Sequence, residues 1–121
     1  MKNKRLIILF GSQARGSSGS LSDTDLAVLA DHPLSREEKD EVGVRVARMR
    51  GVSEETLDVI DLWNASPLLQ HQIGETGKLL EGDASAFIRF RVLAWKRYLD
   101  TAKFRRAREQ ALASYVKGNH S

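Results

Sequence analysis

The chain contains no cysteine, which excludes a disulfide framework, a thiolate metal site, an iron–sulfur cluster and a cysteine nucleophile together. The reducing cytoplasm is the expected compartment. Its longest unbroken apolar run is Leu6 to Phe10, far short of the roughly 18 residues that cross a bilayer. The basic start, Met1-Lys2-Asn3-Lys4-Arg5, is followed by too few apolar residues for an export signal, so no membrane association is expected. Three histidines, at 32, 71 and 120, are scattered without ligand spacing, and zinc is not expected. The 121 residues leave room for one core and none for separate cofactor and substrate domains.

What charge there is divides unevenly. Residues 1–85 carry ten Lys/Arg against fourteen Asp/Glu, a net of −4, whereas residues 86–121 carry nine Lys/Arg against Asp100 and Glu109, a net of +7. Such a basic segment suits nucleic acid, an acidic protein or plain solvent.

The pattern along the chain is that of a small α/β (α+β) domain, a mixed sheet with flanking helices. Residues 4–10 form a short aliphatic run that stops at Gly11-Ser12, as a buried strand does before a turn. Residues 13–22 are a Gly/Ser-rich loop, and residues 25–30 are a second strand stopped by Asp31-His32-Pro33. Ser35 and Glu38 have capping-box spacing, and the helix they open carries Val42, Val46 and Met49 on one face before Gly51 ends it. Residues 56–62 are a third strand. Ser66-Pro67 starts a short helix through Leu68, Leu69 and Ile73 that Gly74 and Gly77 end, and Leu79-Leu80 form an edge strand. From Ser85 to about Val116 a long helix is expected, with Ile88, Val92, Trp95, Leu99 and Ala102 on the face that packs on the core. Its second half projects, docks or frays. Residues 1–121 are thus one domain, with residues 4–82 as its core and residues 85–116 as its C-terminal helix.

Chemistry concentrates where the first strand ends and the second begins. Gly11 lets a backbone approach a phosphate with no Cβ in the way, and Ser12 adds a hydroxyl beside exposed N–H groups. Asp23 and Asp25, two apart at the head of a strand, point to one side, where carboxylates can share Mg²⁺ with a nucleoside triphosphate. A third carboxylate from the neighbouring strand would complete a two-metal site. Asp58 and Asp61 are the candidates, and their odd separation sends them to opposite faces, so only one can join. Arg15 is close enough in sequence to reach a phosphate, although an exposed loop arginine is the default.

Residues 9–16 (LFGSQARG) and 22–28 (SDTDLAV) together resemble the signature of the minimal nucleotidyltransferases of the polymerase-beta-like superfamily. That signature is Gly-Ser, ten residues, then Asp-x-Asp, and the resemblance continues through residues 57–62 and 64–69. It implies that Gly11, Ser12 and Arg15 hold the triphosphate of ATP and that Asp23, Asp25 and Asp58 are the catalytic, Mg²⁺-binding carboxylates. Asp58 is chosen over Asp61 on strand alternation and family pattern together. Gln13 stands where many relatives have a basic residue.

Small stand-alone members resemble the antitoxins of bacterial toxin–antitoxin pairs, whose partner is a helical HEPN-domain ribonuclease. The activity implied is transfer of AMP from ATP to a tyrosine hydroxyl of that toxin, in a hetero-oligomer, with no nucleic acid expected as a direct substrate. A stoichiometric binding antitoxin and a small-molecule nucleotidyltransferase of the aminoglycoside type are the alternatives. Trp95, Tyr98 and Phe104 could anchor a protein partner, with intramolecular packing the competing expectation, stronger for Trp95 and Tyr98. His71 is read as a packing or surface residue.

Overall fold

A computed structural model describes residues 5–11 and 24–118. In chain order it forms β1 (Leu6–Phe10), β2 (Thr24–Leu29), α1 (Arg36–Arg50), β3 (Leu57–Asp61), α2 (Pro67–Thr76), β4 (Lys78–Glu81) and α3 (Ala84–Gly118). Short 3-10 turns, Glu54–Thr56 and Leu62–Asn64, flank β3. The strands make one mixed sheet in the order β3-β2-β1-β4. β1 is antiparallel to both β2 and β4, while β2 and β3 run parallel.

Strand alternation divides the core in two. Leu6 and Ile8 of β1 and Ala27 of β2 pack with Leu62, Ile73, Phe90 and Ala94 under α2 and α3. Ile7 and Leu9 of β1, with Leu26 and Val28 of β2, pack instead against Val42 and Val46 of α1. Both faces of β1 and β2 are therefore covered, which is why their sequences are continuously aliphatic rather than alternating. Each fully buried branched side chain contributes about 1.5–3 kcal/mol by leaving water. Among the described residues, no helix is long and apolar enough to cross a membrane.

The helix boundaries follow local chemistry. Ser35 Oγ accepts from Glu38 N at 3.1 Å, and the Glu38 carboxylate accepts from Ser35 N at 2.9 Å, closing the capping box. Gly51 ends α1 in the left-handed region at φ 66°, a conformation that suits glycine. Ser66 caps α2 through Leu69 N, with Pro67 in the first turn.

Three expectations are corrected. Met49 does not join Val42 and Val46 but is 64% exposed, because the buried face of α1, Val42, Gly43, Val46 and Ala47, ends before the last turn, in which residues 48–50 are all exposed. Gly74 does not end α2, which runs on to Thr76; it is buried within the helix, where α3 passes so close that a Cβ there would touch the Arg91 backbone and Phe90 ring at 3.6 and 3.7 Å. The core face of α3 is also not the expected stripe. Phe90 and Ala94 are buried, while Ile88, Val92, Trp95 and Leu99 are exposed. Small residues at the α2–α3 contact let the helix axes approach, and that contact fixes the rotation of α3. The second half of α3 stays helical to Gly118 and is exposed from Arg106 onward.

Candidate active site

The pairing of the strands brings Asp25 and Asp58 together. Asp25 is opposite Phe10, the last residue of β1, across the antiparallel β1–β2 pair. Across the parallel β2–β3 pair it is in register with Asp58. Register partners share a face of the sheet, so these carboxylates stand side by side at one edge of the α2–α3 face. Asp58 is exposed.

Gly11 completes this corner. The turn after β1 takes φ +83°, and a Cβ built on Gly11 would lie 2.7 Å from Asp25 Oδ2. The missing side chain therefore does two things: it permits the left-handed backbone, and it leaves the space that the Asp25 carboxylate occupies. A glycine at this corner reads in the sequence as a phosphate-approach residue; its contact with Asp25 becomes visible only once β1 and β2 are paired. Ser12, Arg15 and Asp23 lie outside the described residues.

Asp61 is placed differently. It pairs in register with Val28, on the α1 face, and is 8% exposed. Its Oδ2 accepts from Leu34 N at 3.0 Å and Asn64 Nδ2 at 3.2 Å, and its Oδ1 from Trp63 N at 3.0 Å. The carboxylate caps the turn after β3 and ties that turn to the approach to α1. Asn64, which the sequence did not single out, supports the cap by donating its side-chain N–H directly to that carboxylate.

The remaining aromatic and histidine candidates separate by contact. The His71 and Tyr98 rings stack 4.4 Å apart, and the Arg105 guanidinium lies 4.1 Å from the Tyr98 ring centroid. Tyr98 and His71 are thus part of the α2–α3 packing. Trp95, for which packing in the core was the stronger expectation, is about half exposed because it lies on the outer face of α3, and Phe104 is more exposed still. A cavity of about 830 Å³ lined by Arg5, Glu38, Arg45 and Asp83 sits beside the start of β1, roughly 17 Å of strand from Gly11, and is remote from the carboxylates.

The model of the family described as "Polymerase beta, Nucleotidyltransferase" matches residues 1–84, which include all four strands, the Gly11 corner and Asp23, Asp25 and Asp58. The chain belongs to this family. The chain is also 36% identical over 78 residues to the protein adenylyltransferase MntA of Shewanella oneidensis. That match covers 64% of this chain and 54% of the relative, so the chain spans about half the length of the curated protein it matches. Among solved structures, a toxin–antitoxin with AMP-PNP superposes with a TM-score of 0.69 at 31% identity, covering 97% of this chain and 88% of that one. A complex of tri-AMPylated Shewanella oneidensis HEPN toxin with its MNT antitoxin gives a TM-score of 0.60 at 30% identity, with 96% and 84% covered. The mixed four-stranded sheet and long C-terminal helix are the fold of this family.

Proposed function

We propose that this chain is an antitoxin nucleotidyltransferase that moves AMP from ATP to a tyrosine hydroxyl of a HEPN-domain toxin and thereby silences it. The observation that carries the reading is the pairing of Asp25 with Asp58 on adjacent parallel strands, beside a glycine whose missing Cβ makes room for the Asp25 carboxylate. The family match and the likeness to toxin–antitoxin structures, one with an ATP analogue and one with an AMPylated toxin, support it.

The donor set suits Mg²⁺, a hard cation that takes carboxylate oxygens and substrate phosphates. Asp25 and Asp58, with Asp23 two residues before Asp25, would hold it. When bound, Mg²⁺ would supply charge neutralisation at the triphosphate and a lowered pKa for the acceptor hydroxyl. The chain's own groups do the positioning. Gly11 and Ser12 present backbone N–H and hydroxyl donors to the triphosphate, with Arg15 within reach of it in sequence. The exposed Asp58 carboxylate meets the incoming tyrosine and accepts its proton. The tyrosine oxygen forms a bond to the α-phosphorus as the bond from that phosphorus to the pyrophosphate oxygen breaks, and pyrophosphate leaves. The product carries a new phosphodiester charge, which near an RNA-binding groove repels the RNA backbone.

ATP labelled at the α-phosphate tests this directly. Label should pass to the co-purified toxin from α-labelled ATP and not from γ-labelled ATP, and should fail to pass with Asp25→Asn. Protection without any label transfer would favour a stoichiometric binding antitoxin, the second reading, which the exposed apolar stripe on α3 favours.

A further inference from the structure

The stripe first expected to pack on the core lies on the outer face of α3, and nothing among the described residues covers it. Ile88, Val92, Trp95 and Leu99 are 57%, 56%, 52% and 46% exposed. Their spacing of four, three and four residues is that of the a and d positions of a coiled coil, with Val92 and Leu99 at a and Ile88 and Trp95 at d. Exposed apolar residues scattered singly need no explanation, but a contiguous seam along one helix marks an interaction surface.

The flanks of the seam indicate what covers it. The e positions are Arg89, Lys96 and Lys103, and the g positions are Arg91, Tyr98 and Arg105, so neither flank carries an acid. The side chains of Arg89, Lys96 and Lys103 make no ion pair or hydrogen bond among the described residues. A second copy of this chain would set e against g in a parallel pair, or e against e in an antiparallel one, and either arrangement brings like charges together. A phosphate backbone would satisfy the charges but leave the seam in water. We propose that this face of α3 docks an amphipathic helix of a partner protein, apolar along its seam and lined by Asp and Glu on its flanks. The inference goes beyond the transfer chemistry and does not depend on it.

Two synthetic helices about three heptads long, with Ile at a and Leu at d, provide the probe. One carries Glu at every e and g position and the other Lys. Each is labelled and titrated by fluorescence anisotropy against the full chain carrying Trp63→Phe, which leaves Trp95 as the one tryptophan. The Glu helix should bind at least about tenfold more tightly than the Lys helix and shift Trp95 emission to the blue. Trp95→Asp with Leu99→Asp should weaken that binding by more than about tenfold without lowering the melting temperature, since both side chains are exposed. Arg89→Glu with Lys96→Glu should reverse the preference between the two helices. The proposal is overturned if the two helices bind alike, if the double Asp variant binds the Glu helix normally, or if single-stranded RNA displaces that helix. It is equally overturned if sedimentation shows a dimer of the free chain that Trp95→Asp dissolves, for then a second copy covers the face.

Discussion

Two aspartates three residues apart on β3 do unrelated work, and substitution should separate them. Asp58 is exposed and in register with Asp25; Asp61 is buried and accepts three hydrogen bonds. Asp58→Asn should leave the denaturation midpoint unchanged and lower transfer at least about a hundredfold, a loss typical of removing one catalytic proton acceptor. Asp61→Asn replaces one of the two accepting oxygens with an NH₂ group that only donates, and should cost about 1–3 kcal/mol in urea unfolding, with transfer by the folded fraction largely retained. Gly11→Ala belongs with Asp58→Asn. Its Cβ would fall 2.7 Å from Asp25 Oδ2 on a backbone at φ +83°, so the carboxylate must move, and nucleotide affinity measured by calorimetry should drop. That the two β3 aspartates face apart was legible from alternation alone. The contact of Gly11 with Asp25 was not, because it depends on the pairing of Phe10 with Asp25, which one strand's sequence does not specify.

At the level of elements, α1 is tied at its start by a small charged cluster that makes its stability depend on pH. His32 bonds Glu38 at 2.7 Å and Asp31 at 2.6 Å. The Glu38 hydrogen bond, then that of Asp31, raises the His32 pKa above its ordinary value. Hydrogen bonds from the Ser35 backbone, then from His32, lower the Glu38 pKa. The raised histidine stabilises fully below its unfolded pKa, and that contribution is lost as pH rises through the folded value. The lowered glutamate stabilises above its unfolded pKa and loses that contribution as pH falls through the folded one. The tie is therefore strongest between these two limits. Melting temperatures of the parent and His32→Ala across pH 4–9 should differ most in the mildly acidic range and converge at the alkaline end; a constant difference would contradict the cluster. The capping box of α1 and the Ser66-Pro67 start of α2 were legible because they are local. The rotation of α3 was not. It carries apolar residues on two faces, and the larger ones, Ile88, Val92, Trp95 and Leu99, are outside. The inner face was chosen by close approach to Gly74, a contact between helices that a single helix's periodicity does not contain.

Across the whole molecule, an acidic half holding the carboxylate corner is joined to a basic helix with an apolar outer seam. On the proposed reading, catalytic and docking groups occupy separate elements, so that a protein acceptor is held by one while it reacts at the other. The motif of Gly-Ser, ten residues and Asp-x-Asp made the family legible because it is a local pattern in the sequence, and of its described residues Gly11 and Asp25 meet where β1 ends and β2 begins. The outer face of α3 follows only from the assembled fold. The most direct test is the intact mass of the proposed HEPN-domain toxin partner after co-expression with this chain. The account predicts AMP-sized increments with the parent chain and with Asp61→Asn, and none with Asp25→Asn or Asp58→Asn. Increments that persist when both Asp25 and Asp58 are replaced, or a neutralised partner that carries none beside the parent chain, would contradict it.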